Sequence, residues 1–470
     1  RYDIPVVVGA LAANRQIYSL GIGCALEDIR VRWDQAKSHA IEPITVDNAP
    51  VHEVIEDTVE GLPVPISTPG WDNAPYLSAG HYITRDPDTR GYNIGNYRAQ
   101  IKAPKRVGCN ISLELGQGGY LHWLKYKERG LPMPAAISIG GPPCLSYVAV
   151  QKLPYDMDEY WVAGGLVQAP FRLAKAKTVD LLVPADGEII IEGLVSTSEL
   201  EPEAPFGESH GHVNPKEYNL FMDVTAVTRR RDAILCSIIS QVTPSESGMI
   251  KKVAYEPLYL DHLRNVVGVK SVVRVSLHEP LTSLQKLTIV QFRKPQPADV
   301  WRALMAAVCF RPAMSKIVVA VDEDIDPENL DAVLWAMSYR SRPQHDVQIF
   351  HGMDVGHGPR HDERGSSADD AAAVWDATLK QPFPPISLPK REFMERARGI
   401  WEELGLPKLK PAAPWFGYSL GDWHDELDVE ADLAVKGDYF VTGEKIAKQR
   451  RSTDDTQMNS SFYGSIEGKS

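Results

Sequence analysis

The distribution of apolar and polar positions along this chain predicts strands and helices in alternation. Residues 2–9 form an apolar run that ends in a glycine, typical of a buried strand followed by a turn, and a linker is expected after Leu26. Residues 120–129 have helical character up to Gly130, and residues 135–140 then have the pattern of a strand. The N-terminal part of the chain is therefore expected to mix helix and sheet.

Residues 178–241 contain several short runs of β-forming residues that are separated by turn signals. Three of these runs lie at 188–192, 220–224 and 233–237. Short strands at such spacing are typical of sandwiches and barrels. A small antiparallel barrel is therefore expected in this part of the chain.

A second pattern begins after residue 248. Strand-like runs lie at 271–275, 286–292 and 316–321, and a helix-like run at 297–310 separates the last two. A strand, a helix and a further strand in succession are typical of a sheet covered by helices. We expect this unit to form a sheet of its own.

Length, charge and cysteine content limit the class of protein. The chain has 470 residues, of which 43% are hydrophobic, so two or three domains can each bury a core. A formal charge of −12 argues against nucleic acid or an anionic membrane as the main partner. Five scattered cysteines without C-x-x-C spacing indicate neither a disulfide framework nor a zinc site, so a cytoplasmic location is expected.

No segment of the sequence is expected to cross or enter a membrane. No apolar run is long enough to span a bilayer, and no signal-peptide pattern opens the chain. The first residue is Arg1 rather than Met, so we expect that some preceding sequence is missing.

Two short segments concentrate side chains that suit acid–base chemistry. Residues 93–98 carry an amide and a fixed cation, and residues 203–208 carry two carboxyl groups around Pro205 and Gly207. Because Pro205 and Gly207 disfavour helix, a bent, extended loop is expected to turn both acids toward one cavity. Two acids in one cavity resist joint ionisation, so one can act as a general acid while Arg98 holds the other charged. From the residue types alone, a solvated acidic loop is the alternative.

Other polar groups have both a functional and a structural interpretation, and the structural one is favoured for most of them. They are the acidic residues Asp322, Glu323, Asp324 and Asp326, the loop residues His351, Asp354, His357, His361 and Asp362, and Cys144. The acidic residues precede a helix start at 327–329 and suit a helix cap, whereas the loop has irregular spacing for a zinc site. No His–Cys constellation supports Cys144 as a nucleophile. For His210 and His212, a pocket wall and ordinary structure are both open.

Several ordered segments resemble motifs of the UbiD family of carboxylate decarboxylases, which use prenylated FMN. The similar segments lie at 85–89, 93–98, 133–140, 158–164, 183–189, 322–326, 334–337 and 375–378. They follow one another from about residue 5 to about residue 380, and a set of ordered motifs is far more specific than any single one. No family pattern is found after Lys380.

The resemblance implies roles for individual residues. Arg98, Glu203 and Glu208 would form the catalytic network, with Glu208 as proton donor. Asn93 and Glu159 would bind a divalent metal, Mn²⁺ or Mg²⁺, that clamps the cofactor phosphate, with K⁺ near the same phosphate; amide and carboxylate oxygens suit such hard cations. The implied cofactor-binding residues are Asn93, Ile94, Tyr97, Arg98, Gln117 and Glu159.

One position departs from the family pattern. Many members have a metal-binding His in the loop before a helix, where this chain has Gly118. Some polyprenyl-hydroxybenzoate members also lack that His, so the cofactor is not excluded. Water, Gln117 or His122 could complete the ligand set, although His122 on a helix is favoured as a packed residue.

The resemblance implies an α/β fold with several domains (α+β multidomain). Residues 1–47 would be the remainder of an N-terminal α/β domain, and residues 48–245 a split β-barrel domain that binds prenylated FMN and metal. Residues 255–380 would be a C-terminal αβ oligomerisation domain, through which the chain forms a homodimer or homohexamer. Residues 381–470 lie beyond the resemblance, and their composition predicts an extension with a mobile tail, since the last twenty residues are rich in Ser, Thr and Asp.

The resemblance also implies the reaction and the partners. The expected activity is reversible, non-oxidative decarboxylation of an aromatic or aromatic acyl-CoA carboxylic acid with release of CO₂, and a flavin prenyltransferase would supply the cofactor. One alternative is a decarboxylase of α,β-unsaturated acids. Another is a non-catalytic flavin-binding or scaffold subunit of a multi-subunit carboxylase, against which the joint presence of Arg98, Glu203 and Glu208 argues.

Overall fold

The computed structural model describes most of the chain. The described residues are 2–11, 15–111, 118–151, 153–155, 157–203, 205–214, 216–239, 245–278, 286–311, 314–353, 370–381, 383–407 and 425–450. The fold is α/β. None of the helices in these ranges has the length and apolar character needed to cross a membrane.

The first part of the chain is dominated by strands. They are β1 (Val6–Val8), β2 (Ile44–Thr45), β3 (Val54–Glu56), β4 (Tyr76–Leu77), β5 (His81–Arg85), β6 (Tyr92–Asn96), β7 (Ala99–Ala103), β8 (Arg106–Cys109), β9 (Met133–Ile139), β10 (Arg172–Lys175), β11 (Leu182–Pro184), β12 (Ile189–Val195), β13 (Glu201–Glu203), β14 (Phe206–Gly207), β15 (Val213–Asn214), β16 (Glu217–Arg229) and β17 (Leu235–Ser237). The helices of this part are α1 (Gln16–Ile22), α2 (Ile29–Ser38), α3 (Gly118–Glu128), α4 (Pro143–Ala149), α5 (Glu159–Val167) and α6 (Glu246–Asp261).

A large antiparallel sheet forms the centre of this part. Its strand order is β4-β7-β8-β16-β12-β9-β5-β6, and β3 and β13 also pair with the long strand β16. The order has two ends, β4 and β6, and within the described residues no pairing joins them. The expected barrel is therefore open in its strand pairing.

Strands β9 and β12 are buried on both faces of the sheet, which explains why apolar residues occupy most of their positions. On β9, Ala135 and Ile137 point into one core, and Ala136 points into the other. On β12, Ile189 points into the same core as Ala135, and Ile190 points into the core of Ala136. Helices α1, α2, α4 and α5 supply the second core.

Two expectations for the N-terminal residues are wrong. Helix α2 occupies the expected linker, because Ile29, Trp33 and Ala36 recur at helical spacing and are buried. Strand β1 is half-exposed rather than buried, since it pairs in parallel with β17 in a two-stranded sheet. The domain boundaries stay predictions, and α1 and α2 share a core with α4 and α5.

The second sheet follows the predicted strand–helix–strand order. Its elements are β18 (Val272–Leu277), β19 (Leu287–Phe292), α7 (Pro297–Phe310), β20 (Ile317–Asp322), α8 (Leu330–Arg340), α9 (Pro343–Asp346), β21 (Val347–Met353) and β22 (Asp370–Asp376). The strand order is β18-β19-β20-β22-β21, with parallel pairs β19–β20 and β20–β22.

Helices also occur in the C-terminal extension, where the sequence pattern did not indicate them. They are α10 (Arg391–Glu403), α11 (Asp425–Lys436) and α12 (Tyr439–Ala447). Large apolar side chains such as Phe440, which is 73% exposed, lie on their surface. The predicted tail at 451–470 lies outside the described residues.

Candidate active site

Arg98 and Glu203 form a bidentate ion pair. Arg98 lies between β6 and β7, and its Nε and Nη2 donate to the two carboxylate oxygens of Glu203 at 3.1 and 2.9 Å. The side chains are 10% and 1% exposed. Two parallel hydrogen bonds fix both position and orientation, so the guanidinium plane is set by Glu203.

Glu203 has further partners on two other strands of the sheet. Its Oε2 accepts from Nδ2 of Asn110, which follows β8, at 3.2 Å and from Nδ2 of Asn219 on β16 at 3.5 Å. Every one of these partners is a donor, so Glu203 acts as an acceptor throughout. Neither asparagine was predicted, because nothing in the local sequence links them to residue 203.

Glu208 is the more accessible of the two acids. Its Oε1 accepts from Arg98 Nη1, and its side chain is 23% exposed. It lies just after β14, which pairs with β15 in a tight hairpin. A Cβ at Gly207 would overlap Thr68, so only glycine allows this close approach of the hairpin to the neighbouring loop. The predicted bent segment therefore places both acids on one guanidinium.

The charge of Arg98 is stabilised by its neighbours. Burial acts to lower the pKa of Arg98, but the hydrogen bonds and charges of Glu203 and Glu208 outweigh it, and the net pKa shift is upward. The guanidinium also lies 5.0 Å from the centre of the Phe206 ring, which packs on Tyr76. Arg98 is thus a permanent cation with one apolar face.

The Asn93 side chain lies at the start of helix α3. With its amide oxygen turned toward the helix, it accepts from the backbone N–H of Gly119 at 3.2 Å and of Ile94 at 3.3 Å. A Cβ at Gly118 would overlap this amide. Gly118 is therefore matched to Asn93 by close approach, and a larger residue there requires Asn93 to move.

Glu159 is a buried acid at the first position of helix α5. Its Oε2 has no hydrogen-bond partner among the described residues, and burial raises the pKa of this carboxyl to about 8. A buried carboxylate oxygen without a donor is costly unless a cation binds it. Within the described residues, no group of three His, Cys, Asp or Glu side chains could hold a metal.

The other predicted cofactor-binding residues differ in their surroundings. The Tyr97 hydroxyl bonds to Asn93, and its ring packs 5.8 Å from that of Tyr82. The Ile94 side chain points into the core on the helix side, so only its backbone faces Asn93. Gln117 lies outside the described residues.

The remaining polar candidates have structural surroundings. Asp322 and Asp324 pair with Arg340 at 3.1 and 2.7 Å, as suits a strand-end loop before a helix. Cys144 is buried, which raises its thiol pKa to about 12. The loop residues at 354–362 lie outside the described residues.

The three histidines near the site occupy different environments. His122 is buried, its Nδ1 lies 2.9 Å from the Thr84 hydroxyl, and burial lowers its pKa to about 4. It is a packed residue of α3. In the hairpin after Glu208, His210 Nε2 lies 3.1 Å from Asn214, and burial lowers its pKa. His212 is exposed and bonds to His210 through its backbone N–H.

Two family profiles match the chain. One is described as the 3-octaprenyl-4-hydroxybenzoate carboxy-lyase Rift-related domain of UbiD and matches residues 44–242. The other is described as the C-terminal domain of the same carboxy-lyase and matches residues 248–364. Together they span both the large antiparallel sheet and most of the second sheet.

Individual relatives match over most of their length. An uncharacterized protein of Aquifex aeolicus is 30% identical over 399 residues, which cover 81% of this chain and 79% of that protein. The UbiD-class enzyme HmfF from Pelotomaculum thermopropionicum, solved in complex with FMN, is 29% identical with a TM-score of 0.76, over 84% of this chain and 88% of that one. An evolved dimeric form of HmfF in complex with prFMN is 29% identical with a TM-score of 0.72, over 83% and 86%.

Proposed function

This chain belongs to the UbiD family of carboxy-lyases, and on that premise we propose that it catalyses the reversible, non-oxidative decarboxylation of an aromatic carboxylic acid with prenylated FMN. The observation that carries the proposal is the contact of Arg98 with both Glu203 and Glu208. Glu203 is buried and accepts from four donor groups, whereas Glu208 accepts from Arg98 and is 23% exposed. That difference suits a fixed partner and a proton donor.

In the proposed reaction, Arg98 orients the substrate carboxylate. The bond between the carboxylate carbon and the adjacent unsaturated carbon breaks, and CO₂ leaves. Glu208 then transfers its proton to the unsaturated carbon. Glu203 keeps the guanidinium in place throughout. Prenylated FMN, when bound, supplies an electron sink for the electron pair that CO₂ leaves behind. Glu208 then regains a proton from solvent, and at high CO₂ concentration the same steps run in reverse.

Asn93 and Glu159 are the proposed ligands of the divalent metal, Mn²⁺ or Mg²⁺, that holds the cofactor phosphate. The buried Oε2 of Glu159, which has no hydrogen-bond partner in the described ranges, supports this assignment, since a cation there would offset its burial. Cofactor phosphate and water would complete the shell, because hard cations accept such oxygen ligands. The same proposal includes K⁺ near this phosphate and contacts of Tyr97 and Ile94 with the cofactor. It also includes a flavin prenyltransferase that supplies the cofactor.

An aromatic acid is the proposed substrate, and an aromatic acyl-CoA acid belongs to the same class. The flavin complexes of HmfF support the cofactor more directly than the substrate. An α,β-unsaturated acid is the runner-up, since loss of CO₂ from an unsaturated carbon needs the same electron sink. A homodimer or homohexamer through residues 255–380 is the proposed assembly, which light scattering after size exclusion would measure.

The proposal is tested by producing the protein together with a flavin prenyltransferase. The released cofactor is measured by ultraviolet–visible spectroscopy and intact mass, metal by elemental analysis, and CO₂ from a panel of aromatic and α,β-unsaturated acids. Prenylated FMN, stoichiometric Mn²⁺ and CO₂ from an aromatic acid are expected. Folded protein without flavin would contradict the proposal and favour a scaffold subunit, and CO₂ from unsaturated acids alone would favour the runner-up.

A further inference from the structure

A charged cleft lies apart from the proposed active site, between strands β5 and β6 and the hairpin that joins β10 to β11. Its volume is about 510 Å³. We propose that this cleft binds a small organic phosphate, with the phosphate group on Arg85, Arg90 and Lys175. The proposal does not depend on the decarboxylase assignment.

The cleft is positive although the chain as a whole is acidic. Arg85, Arg90 and Lys175 line it together with a single carboxylate, Asp180, whereas the whole chain has a net charge of −12. Asp180 Oδ2 accepts from Arg85 Nη2 at 2.5 Å and from Arg90 Nη2 at 3.1 Å. Three cations against one carboxylate leave two positive charges, which match a phosphate monoester dianion.

Arg85 is the residue that points most directly to a ligand. It is only 8% exposed, and its Nε has no hydrogen-bond partner among the described residues. Its Nη1 lies 3.5 Å from the Tyr92 hydroxyl, a long contact for a hydrogen bond. A buried guanidinium N–H without an acceptor is costly, and phosphate oxygens are strong acceptors for arginine.

Lys175 adds a third cation to the lining of the cleft. Within the part of the chain that the structure describes, no ion pair or hydrogen bond of its ammonium group is found, and the residue is exposed. Next to these charges, the cleft has an apolar wall made of Ala176, Val179, Leu181 and Leu182. An organic phosphate with an apolar body fits both halves of such a cleft, and the volume is in the range typical of small-molecule sites.

The wall of the cleft is held in place by hydrogen bonds. The Leu182 N–H donates to the Tyr92 hydroxyl at 2.8 Å, and the Tyr160 hydroxyl donates to the Leu182 carbonyl at 3.0 Å. At the tip of the hairpin, the buried Glu192 accepts from the backbone N–H groups of Lys177 and Thr178 at 2.8 and 2.6 Å. The cleft is therefore formed before a ligand arrives.

The cleft lies on the opposite face of the sheet from the Asn93 side chain, one of the two proposed metal ligands. In the β5–β6 ladder, Arg85 is opposite Tyr92, and the next pair is Thr84 with Asn93. Successive side chains of a strand point to opposite faces, so Arg85 and Tyr92 share one face and Asn93 lies on the other. Phosphate bound in the cleft therefore lies on the opposite face of this strand pair from the Asn93 side chain.

The test is calorimetric titration of the purified full chain with phenyl phosphate at low ionic strength. The double variant Arg90→Asn with Lys175→Gln removes two exposed cations, and Asn tolerates the left-handed backbone of residue 90 (φ 68°). Affinity is expected to fall at least about tenfold in this variant. Asp180→Asn is expected to bind more tightly, by about threefold or more, because it frees both arginines.

Controls separate this site from general charge and from the active site. Arg231→Gln with Lys436→Gln removes the same charge outside the cleft, and Glu159→Gln alters the proposed metal site; both are expected to bind phenyl phosphate as the parent does. Benzyl alcohol is expected not to bind, and benzoate to bind more weakly. The proposal would be overturned if phenyl phosphate showed no saturable binding, or if the cleft and control variants bound it with equal affinity. It would also be overturned if Glu159→Gln lost binding or if benzoate bound more tightly than phenyl phosphate.

Discussion

The guanidinium of Arg98 holds Glu203 through two parallel hydrogen bonds of 3.1 and 2.9 Å. Because both groups are buried, this pair sets the geometry of the proposed active site, and only the remaining amino group of Arg98 reaches Glu208. Lysine cannot form such a fork.

Arg98→Lys is expected to lower the decarboxylation rate by about a hundredfold or more, because the cation is no longer held in one plane. The rate is measured as CO₂ release with flavin content held equal. Arg106→Lys is the matched control, since Arg106 also contacts two acids but is 42% exposed. Equal loss in both variants would show that the Arg98 fork has no special role.

Gly118→Ala is expected to weaken Mn²⁺ binding by about tenfold or more, because the added methyl group overlaps the Asn93 amide. Metal affinity is measured by titration of metal-free protein. Gly61→Ala is the control, since a Cβ there meets no atom within 4 Å. Unchanged affinity in Gly118→Ala would remove Asn93 from the proposed ligand set.

Asp86→Ala is expected to destabilise the fold by about 2 kcal/mol, because Asp86 is buried and its partners would lose their acceptor. These partners are Lys125 Nζ on α3 at 2.7 Å, the Tyr155 hydroxyl and the backbone N–H groups of Asp88 and Thr89. Urea unfolding measures the change. Asp57→Ala, at an exposed acid paired with Lys105, is expected to have little effect, and equal destabilisation in both would contradict the role of the Asp86 network.

His81 predicts a pH dependence of stability. It is fully buried with its Nε2 2.9 Å from the Ser146 hydroxyl, and burial lowers its pKa from 6.5 to about 4. In the unfolded chain His81 binds a proton below about pH 6.5, whereas in the folded chain it binds one only below about pH 4. The free energy of unfolding therefore falls as the pH drops from about 6.5 to about 4. The expected slope is about 1.4 kcal/mol per pH unit for this group.

His81→Gln is expected to reduce the slope of the free energy of unfolding against pH. Burial lowers the pKa of His122 in the same way, so His122 is expected to contribute a slope of similar size. Chemical unfolding at a series of pH values measures the slope. His39→Gln, at an exposed histidine, is expected to leave it unchanged. A slope that His81→Gln does not alter would contradict the account.

The sequence predicted the elements whose pattern is local. Helix α7 spans Pro297–Phe310, as its apolar period indicated, because one helix face is buried against the second sheet. Strand β16 runs through Glu217–Arg229, far beyond the predicted 220–224, because tertiary pairing with several strands extends it. Helix α2 was missed because its hydrophobic face is narrow within a polar segment.

Within the candidate site, family motifs placed Arg98, Glu203 and Glu208 together. The asparagines that complete the surroundings of Glu203 could not be predicted, because Asn110 and Asn219 reach it through sheet pairing. The burial of Glu159 Oε2 away from any hydrogen-bond partner among the described residues is likewise a consequence of tertiary packing. Local sequence shows which residue type stands at a position, but it does not show which residues of distant strands lie beside it in the folded protein.

The most direct test of the central claim is proton delivery by Glu208. Product incubated in D₂O with the flavin-loaded enzyme is followed by NMR for exchange at the carbon that would carry the carboxylate, comparing Glu208→Gln with Glu217→Gln, an exposed control on β16. The account predicts that exchange falls about a thousandfold in Glu208→Gln at unchanged flavin content and is unaffected in the control. Full exchange in Glu208→Gln would contradict the assignment of Glu208 as the proton donor.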